Sequence, residues 1–170
     1  MPDTPTPSLR YLDLFAGCGG LSTGLVAAGH TAVAAVEKST MAAATYAANH
    51  LAANPIPDWR DVSTHAARPI ADQLAAGICL AGVEDVAADP AAGRFLADAA
   101  LDAIVGGPPC QGFSTNGRRA VGDPRDELVW SMLHLVERLA PRFVVIENVA
   151  GMRTAKDLSL IHISEPTRPY

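Results

Sequence analysis

The sequence is poor in cysteine and contains no C-x-x-C pair. Its three cysteines are Cys18, Cys79 and Cys110 among 170 residues. This scarcity argues against a zinc ribbon, any other metal site of that kind and a disulfide framework, and it favours a reduced, cytoplasmic protein. The apolar runs are short and interrupted, so no membrane-spanning segment is predicted. The N-terminal MPDTPTPSLR has no apolar core and is not typical of a secretory signal.

The sequence also lacks an excess of positive charge. Thirteen Lys and Arg stand against 18 Asp and Glu, which gives a formal net charge of −5. This balance argues against a globally basic nucleic-acid-binding surface, but it leaves room for a local one. Three arginines, Arg118, Arg119 and Arg125, cluster just after the third cysteine.

The composition predicts one globular α/β domain, since 49% of the residues are hydrophobic and 18% are charged. Segments typical of strands alternate with segments typical of helices, which predicts a mostly parallel sheet with helices on both faces. The predicted strands are 10–15, 31–36, 101–105 and 142–146, and the predicted helices are about 21–28, about 39–51 and 126–139. Residues 64–100 are rich in alanine and are predicted to be mostly helical, with a possible short strand near 78–83.

The last 13 residues, LSLIHISEPTRPY, differ from the rest of the chain. They contain no Ala, Gly or Val, and they resemble the in-frame translation of a sequencing-library adapter. We therefore expect residues 1–157 to be native and 158–170 to be a non-native tail, with the native sequence interrupted near Lys156.

A glycine-rich segment, DLFAGCGGLS, directly follows the first predicted strand. Glycines here let the backbone approach a ligand, and the next helix begins with free N–H groups. Ser22 stands where a dinucleotide-binding motif has its third glycine, which favours another adenosine cofactor. Glu37 ends the second strand, where an acid can bind both ribose hydroxyls. Asp61 could accept a hydrogen bond from an adenine amino group, or could be an ordinary turn aspartate.

A second segment, GGPPCQGFS, places Cys110 after two prolines. Pro108 and Pro109 fix the backbone, so the direction of the thiol is set by the loop. Nearby arginines would favour the reactive thiolate. Cys18 and Cys79, by contrast, are expected to be small buried hydrophobic residues. Glu147 ends the apolar strand RFVVI, where burial would raise its pKa and suit it to donate a proton near the thiol.

Taken together, these segments closely resemble the DNA cytosine-5 methyltransferases. DLFAGCGGLS, VEKS, RDV, GGPPCQGFS, DPRDELV and ENV match that family's first six motifs in order, over residues 9–152 apart from an insertion-like stretch at about 64–100. The resemblance implies an S-adenosylmethionine-dependent, Rossmann-like α/β fold, here incomplete at the C-terminus. Residues 1–157 would then be the N-terminal part of the catalytic domain.

The resemblance also implies a mechanism. A cytosine flipped out of double-stranded DNA would receive a thiolate attack from Cys110 at C6, while Glu147 protonates N3 and C5 takes the methyl group. Site residues carried over from the motifs fall into two sets. The cofactor-binding set is Asp13, Phe15, Gly17, Gly19, Gly20, Leu21, Glu37, Asp61, Val62, Pro109 and Leu128. The substrate-binding set is Gln111, Ser114, Arg118, Arg119 and Asn148.

Two departures from the family pattern stand out. Lys38 occupies a position where many members carry a bulky apolar residue against the adenine. The family's later Q-x-R motif, target-recognition domain and closing C-terminal helix are absent from the sequence. From the resemblance we therefore expect this chain alone to be poorly stable and inactive, and the complete enzyme to be a monomer with a possible cognate restriction endonuclease.

Three alternatives remain open. One is a tRNA-directed cytosine-5 methyltransferase of the same fold. Another is a non-catalytic homologous module, although the retention of both Cys110 and Glu147 argues against it. A nicotinamide-dependent oxidoreductase is disfavoured by the missing third glycine.

Overall fold

The computed structural model describes residues 7–56, 58–109 and 126–148. They form a parallel five-stranded sheet with the strand order β3-β2-β1-β4-β5. The strands are β1 (Arg10–Leu14), β2 (Thr31–Val36), β3 (Ile78–Cys79), β4 (Ala103–Gly106) and β5 (Phe143–Ile146). The predicted α/β class and parallel sheet are thus confirmed.

Seven α-helices and one 3₁₀ turn connect the strands within the described part of the chain. The helices are α1 (Gly20–Ala27), α2 (Thr40–His50), α3 (Val62–Ala66), α4 (Ile70–Ala75), α5 (Val83–Ala88), α6 (Pro90–Asp98) and α7 (Asp126–Leu139), and the 3₁₀ turn is Trp59–Asp61. Ser39 caps α2 by accepting a hydrogen bond from the Ala42 amide at 3.5 Å, as predicted. None of these described helices is long and apolar enough to cross a bilayer.

The two faces of the sheet are covered by different helices because successive strand side chains point to opposite sides. On one face, Tyr11 and Val105 pack with residues of α1, and Ala35 packs with α2. On the other face, Leu12 and Ile104 lie in the largest core cluster, to which α4, α5, α6 and α7 contribute. Helices therefore lie on both faces, as the strand and helix alternation predicted.

The stretch 64–100 is not an insertion. It supplies β3, whose Ile78 and Cys79 are fully buried, and helices whose Leu74, Val86 and Leu96 are at most 1% exposed. These side chains complete the core on both faces of the sheet. The predicted helices and short strand are thus confirmed, whereas the interpretation of the stretch as insertion-like was wrong, because its side chains are part of the core.

The side of the sheet on which new strands are added changes at β1. From β1 the chain adds β2 and then β3 on one side, and it then crosses to place β4 and β5 on the other side. The carboxyl ends of β1 and β4 therefore flank a topological switch point, which is where open α/β sheets bind ligands.

Gly106 lies at this point, and its lack of a side chain is required by the sheet. A Cβ on Gly106 would stand 2.5 Å from the carbonyl oxygen of Leu14, its partner on β1. We expect Gly106→Ala to lower the free energy of unfolding by about 2 kcal/mol or more, because the obstacle is backbone. Gly24→Ala, on α1 with nothing within 4 Å of the added carbon, should be neutral or slightly stabilising in the same urea titration. Equal effects of the two substitutions would contradict this explanation.

Candidate cofactor and catalytic site

A cavity of about 310 Å³ opens at the carboxyl edge of the sheet. Its wall runs from the segment after β3, past the ends of β2 and β1, to the segment after β4 and the start of α7. The lining residues are Phe15, Val36, Glu37, Lys38, Ala81, Gly82, Val83, Glu84, Gly107, Pro109 and Leu128. Four predicted cofactor-binding residues, Phe15, Glu37, Pro109 and Leu128, are thus brought together although they are far apart in sequence.

The loop between β1 and α1 depends on glycine. Gly17 and Gly19 have φ values of 56° and 90°, which side chains rarely tolerate. The Gly17 amide donates a hydrogen bond of 2.8 Å to Oε2 of Glu37, which joins the glycine loop to the end of β2. The predicted glycine loop therefore lies beside the predicted ribose-binding acid.

Glu37 is held in place by backbone amides. Besides the Gly17 contact, its Oε1 accepts a hydrogen bond of 2.6 Å from the Ser39 amide. A carboxylate has about four lone-pair sites, so these two bonds leave acceptor capacity toward the cavity. The acid is therefore oriented in advance to accept hydrogen bonds from a diol.

Phe15 lines the cavity from a strained backbone. Its φ is 58°, a conformation uncommon for a residue other than glycine. Such strain concentrates at ligand sites because the surrounding structure compensates its cost there. The half-buried ring packs against the main core while it faces the cavity.

Asp13 has a different place from the one predicted. It is 1% exposed and does not line the cavity; its Oδ2 accepts a hydrogen bond of 2.6 Å from the Ser22 hydroxyl. Ser22 also lies 3.1 Å from the hydroxyl of buried Tyr46. Burial raises the pKa of Asp13 to about 6, and the negative charge of Glu37 contributes. Since side chains alternate between the two faces along β1, Asp13 points toward α1. Its hydrogen bond to Ser22 holds that helix against the sheet, and Asp13 does not reach the cavity.

Two other residues of the glycine-rich segment, Gly19 and Leu21, also contribute to packing. The Nε2–H of His50 donates to the Gly19 carbonyl at 3.1 Å, and a Cβ on Gly19 would overlap the His50 ring. Leu21 packs against Tyr11 and its neighbours under α1. Sequence reasoning missed His50, since only the packing of α2 beside the loop brings it there.

Asp61 and Val62 lie away from this cavity. Oδ2 of Asp61 accepts a hydrogen bond from the Asp58 amide at 3.2 Å, and Val62 lines a separate cavity with residues of α2 and α3. The residues that follow β3 and reach the first cavity are Ala81–Glu84. The sequence predicted the adenine contact in the turn at Asp61, whereas the loop that reaches this cavity is the one after β3, which forms at Ile78–Cys79 within the predicted possible strand 78–83.

Glu147 is exposed, not buried as predicted. β5 is the outer strand of the described sheet, so Phe143, Val144 and Val145 remain 41–46% exposed, and Glu147 follows them. Its position nevertheless suits the predicted role. A Cβ on Gly107 would lie 3.0 Å from Oε2 of Glu147, so the carboxylate stands against the segment that leads to Cys110.

Asn148 fastens the same segment. Its Nδ2 donates a hydrogen bond of 2.9 Å to the carbonyl of Pro108, while the Glu147 amide donates to Gly106. The ends of β4 and β5 are thereby tied together next to the proline pair. The predicted residues Cys110, Gln111, Ser114, Arg118 and Arg119 lie outside the described residues, as does the segment 158–170.

The other two cysteines differ from each other. Cys79 is fully buried, as predicted, and burial raises the pKa of its thiol to about 12. Cys18 is exposed in the glycine loop, so the prediction that it is buried was wrong. Its neighbours Gly17 and Gly19 both have positive φ values, so Cys18 lies in a tight turn at the surface and not in a strand or helix that packs on the core.

Comparison with known proteins places these features in one family. The sequence profile of the C-5 cytosine-specific DNA methylases matches residues 9–79 and 84–164. The Type II methyltransferase M.DdeI of Desulfomicrobium norvegicum is 34% identical over 157 residues, which cover 92% of this chain and 32% of that protein. M.HgiGI of Herpetosiphon aurantiacus is 32% identical over 148 residues, which cover 87% of this chain and 96% of that protein.

Solved structures with a similar fold lead to the same comparison. A structure described as a prophage-encoded DNA modification methyltransferase of E. coli superposes with a TM-score of 0.61 at 32% identity, covering 91% of this chain and 35% of that one. The S. pombe Dnmt2 methyltransferase, at 22% identity and a TM-score of 0.57, shares the fold over 89% of this chain and 39% of that one. The chain spans about a third of the length of M.DdeI and of the prophage enzyme. On its sequence, its parallel sheet and the cavity at the sheet edge, the chain belongs to the C-5 cytosine-specific DNA methylase family.

Proposed function

We propose that the protein containing this chain transfers a methyl group from S-adenosylmethionine to C5 of cytosine in DNA, through a covalent bond between Cys110 and C6. The observation that carries the proposal is the position of Glu147. Its carboxylate stands against Gly107, at the edge of a cavity lined by Phe15, Glu37, Pro109 and Leu128. An acid, the loop leading to a cysteine and a cofactor-sized cavity thus meet at one sheet edge.

The cavity suits the cofactor in size and chemistry. About 310 Å³ is at the lower end of the range for small-molecule sites, and the walls are mainly apolar with few polar groups. Glu37, fixed by the Gly17 and Ser39 amides, offers its remaining lone pairs to the two ribose hydroxyls. When bound, S-adenosylmethionine supplies an electrophilic methyl group.

The chain's own residues would carry the rest of the reaction. The Cys110 thiolate forms a bond to C6 of the ring while Glu147 gives a proton to N3, so electron density reaches C5 without a full negative charge on the ring. After C5 has gained the methyl group, it loses its proton to a base. The C6–S bond then breaks, N3 returns its proton to Glu147, and the thiolate leaves. Asn148 holds Pro108, and so positions the segment that leads to the nucleophile.

DNA would present the cytosine outside the helix, because C5 and C6 cannot be attacked inside the base stack. We assign Gln111, Ser114, Arg118 and Arg119 to contacts with this substrate, with the arginines on phosphates. Asn148 is assigned to the same substrate-binding group. A cognate restriction endonuclease is the proposed partner in the cell, since several relatives are named Type II methyltransferases.

The direct test is methyl transfer by the full-length protein, with unmethylated DNA and tRNA as parallel substrates. The proposal expects incorporation into DNA, with 5-methylcytosine as the modified base after digestion. Incorporation into tRNA alone would select the tRNA-directed alternative. No incorporation into either, by a protein that binds the cofactor, would favour the non-catalytic module.

The cofactor half of the proposal is tested separately by Glu37→Gln. Glutamine has one acceptor oxygen where the structure needs two, so one backbone amide or one ribose hydroxyl loses its partner. We expect the affinity of the full-length protein for S-adenosylhomocysteine to fall by about 10- to 100-fold in calorimetric titration. Glu137→Gln, the same change on an exposed part of α7, is the control and should bind normally. Normal binding by both variants would remove Glu37 from the site.

A further inference from the structure

Strand β3 is the last strand on its side of the described sheet, and its outer edge faces helices instead of another strand. On its inner edge, β2 donates hydrogen bonds to the carbonyls of Gly77 and Cys79. Because backbone polar groups alternate in direction along a strand, those of Ile78 and Leu80 point to the outer edge. An edge of this kind needs other partners for its backbone groups.

Two buried side chains supply these partners. The Nε2–H of His65, on α3, donates a hydrogen bond of 2.8 Å to the Ile78 carbonyl. Oε1 of Gln73, on α4, accepts one of 2.8 Å from the Leu80 amide. Both side chains are only 2% exposed. In a parallel ladder, one residue of the neighbouring strand bonds to a carbonyl and to the amide two positions later, so His65 and Gln73 together replace such a neighbour.

Gln73 uses its whole amide group in this arrangement. Its Nε2 donates to the Arg68 carbonyl at 2.8 Å and to the Ala66 carbonyl at 3.3 Å, while Oε1 accepts from Leu80. One side chain thus connects the end of α3 to the residue that follows β3. A displacement of Gln73 would leave several buried polar groups without a partner, which is costly.

Leu80 is the last residue before a wall of the cavity. The residues that follow it, Ala81–Glu84, line one end of that cavity, and Pro109 lines it after β4. Strands β2 and β1 lie between these two ends in the sheet. Since Pro109 precedes the proposed nucleophile, the segment 81–84 bounds the end of the cavity that is remote from the chemistry. The backbone position of Leu80 therefore sets the wall for a part of the ligand that does not react.

We propose that Gln73 is a positioning residue for the cofactor. It fixes the segment 81–84 through the Leu80 amide and is not itself among the residues that line the cavity. A wall that is already ordered before the ligand arrives reduces the entropic cost of binding. The inference rests on the proposed function, because it assumes that the cavity holds S-adenosylmethionine.

The first test is Gln73→Met in the full-length protein, since methionine is similar in size but offers the Leu80 amide no carbonyl acceptor. We expect the affinity for S-adenosylhomocysteine to fall by about tenfold in calorimetric titration. The KM for S-adenosylmethionine should rise by about the same factor while kcat stays within about twofold, because the reacting end of the cavity is unchanged. Hydrogen exchange of the Leu80 amide should become at least about tenfold faster.

Leu135→Ala is the control for a general loss of stability. Leu135, on α7, is fully buried in the main core and does not line the cavity. Under conditions in which both variants are fully folded by circular dichroism, Leu135→Ala should bind S-adenosylhomocysteine as the wild type does. An equal loss of affinity in Leu135→Ala and Gln73→Met would overturn the positioning role.

A second variant, Gln73→Glu, tests the hydrogen bonds themselves. Its carboxylate can still accept from the Leu80 amide, but it has no proton for the carbonyls of Ala66 and Arg68. Burial would raise the pKa of the introduced carboxyl, and protonation restores one donor. We therefore expect its affinity relative to wild type to recover by at least about threefold between pH 8 and pH 5.5.

The other titrating groups, the nearby His65 among them, are common to Gln73→Glu and the wild type, so their contributions cancel in this ratio. A reduced affinity ratio that does not change with pH would contradict the hydrogen-bonding role of Gln73. Should Gln73→Met fail to fold, this pH profile decides the question.

Failure of this inference can be told from failure of the proposed function. If the wild type binds S-adenosylhomocysteine and folded Gln73→Met binds it equally well, only the role of Gln73 is overturned. If the full-length wild type is folded and does not bind S-adenosylhomocysteine, the cofactor of the proposed function is overturned, and the role of Gln73 with it.

Discussion

Replacement of Cys110 by alanine in the full-length protein is expected to abolish methyl transfer, with a loss of more than about 10⁴-fold, because no other group forms the bond to C6. Glu147→Gln should lower turnover by about 10²- to 10⁴-fold, since glutamine cannot give a proton to N3. Neither change alters the cavity residues Phe15 and Glu37, so S-adenosylhomocysteine binding should stay within a few fold of wild type. The measurement is single-turnover methyl transfer to DNA, with binding measured in parallel.

A DNA substrate with fluorine at C5 of the target cytosine provides the complementary readout. With S-adenosylmethionine present, C5 gains the methyl group but the fluorine cannot leave as a proton does, so the C6–S bond cannot break and the protein should remain bonded to the DNA through a denaturing gel. Cys110→Ala should form no such adduct. Methyl transfer by Cys110→Ala at more than a few per cent of the wild-type rate would rule out the covalent route, while the family assignment would stand.

The second large effect concerns Asp13 and pH. Burial raises its pKa in the folded state to about 6, from 3.8 in the unfolded chain. Between these two values the folded state holds the proton more often than the unfolded state, so stability falls as pH rises from about 4 to about 6. Above pH 6 this decrease in the free energy of unfolding is complete and amounts to about 3 kcal/mol, at about 1.4 kcal/mol for each pKa unit.

Asp13→Asn should remove this component of the pH dependence, because the amide does not ionise and its oxygen can still accept from Ser22. Urea unfolding at pH 4.5 and pH 7.5 gives the change in the free energy of unfolding with pH for the variant and for the wild type. The difference between the two changes isolates Asp13, because the contributions of the other titrating groups cancel. The control is Asp98→Asn, at an exposed aspartate at the end of α6. A wild-type pH profile unchanged by Asp13→Asn would show that Asp13 titrates normally.

Much of the architecture follows from local sequence. TAVAAV lies between Gly29 and Glu37 and forms β2 at the predicted bounds, and α7 spans the predicted Asp126–Leu139. Its apolar period buries Met132 and Leu135 against the core. These elements are predictable because their apolar pattern and their boundaries are written in neighbouring residues.

The sequence-based predictions failed where contacts between residues that are distant in sequence decide the structure. The adenine contact was predicted at Asp61, but that residue lies in a turn away from the cavity. The short strand predicted near 78–83 forms at Ile78–Cys79, and only its pairing with β2 shows that the loop after it reaches the cavity. Glu147 was expected to be buried, yet burial depends on what covers β5, and in the described sheet β5 is the outer strand.

The sequence by itself determined the chemistry available to this protein: a glycine loop after β1, an acid after β2, a cysteine after two prolines and an acid after β5. Residue types and their order suffice for that, because each motif is local. Only the tertiary structure decided which of them share a cavity. Parallel pairing on both sides of β1 brings the ends of five strands to one edge, where Glu37, Pro109 and Leu128 meet. The same packing turned Asp13 inward, because side chains alternate along a strand and the helix α1 covers that face.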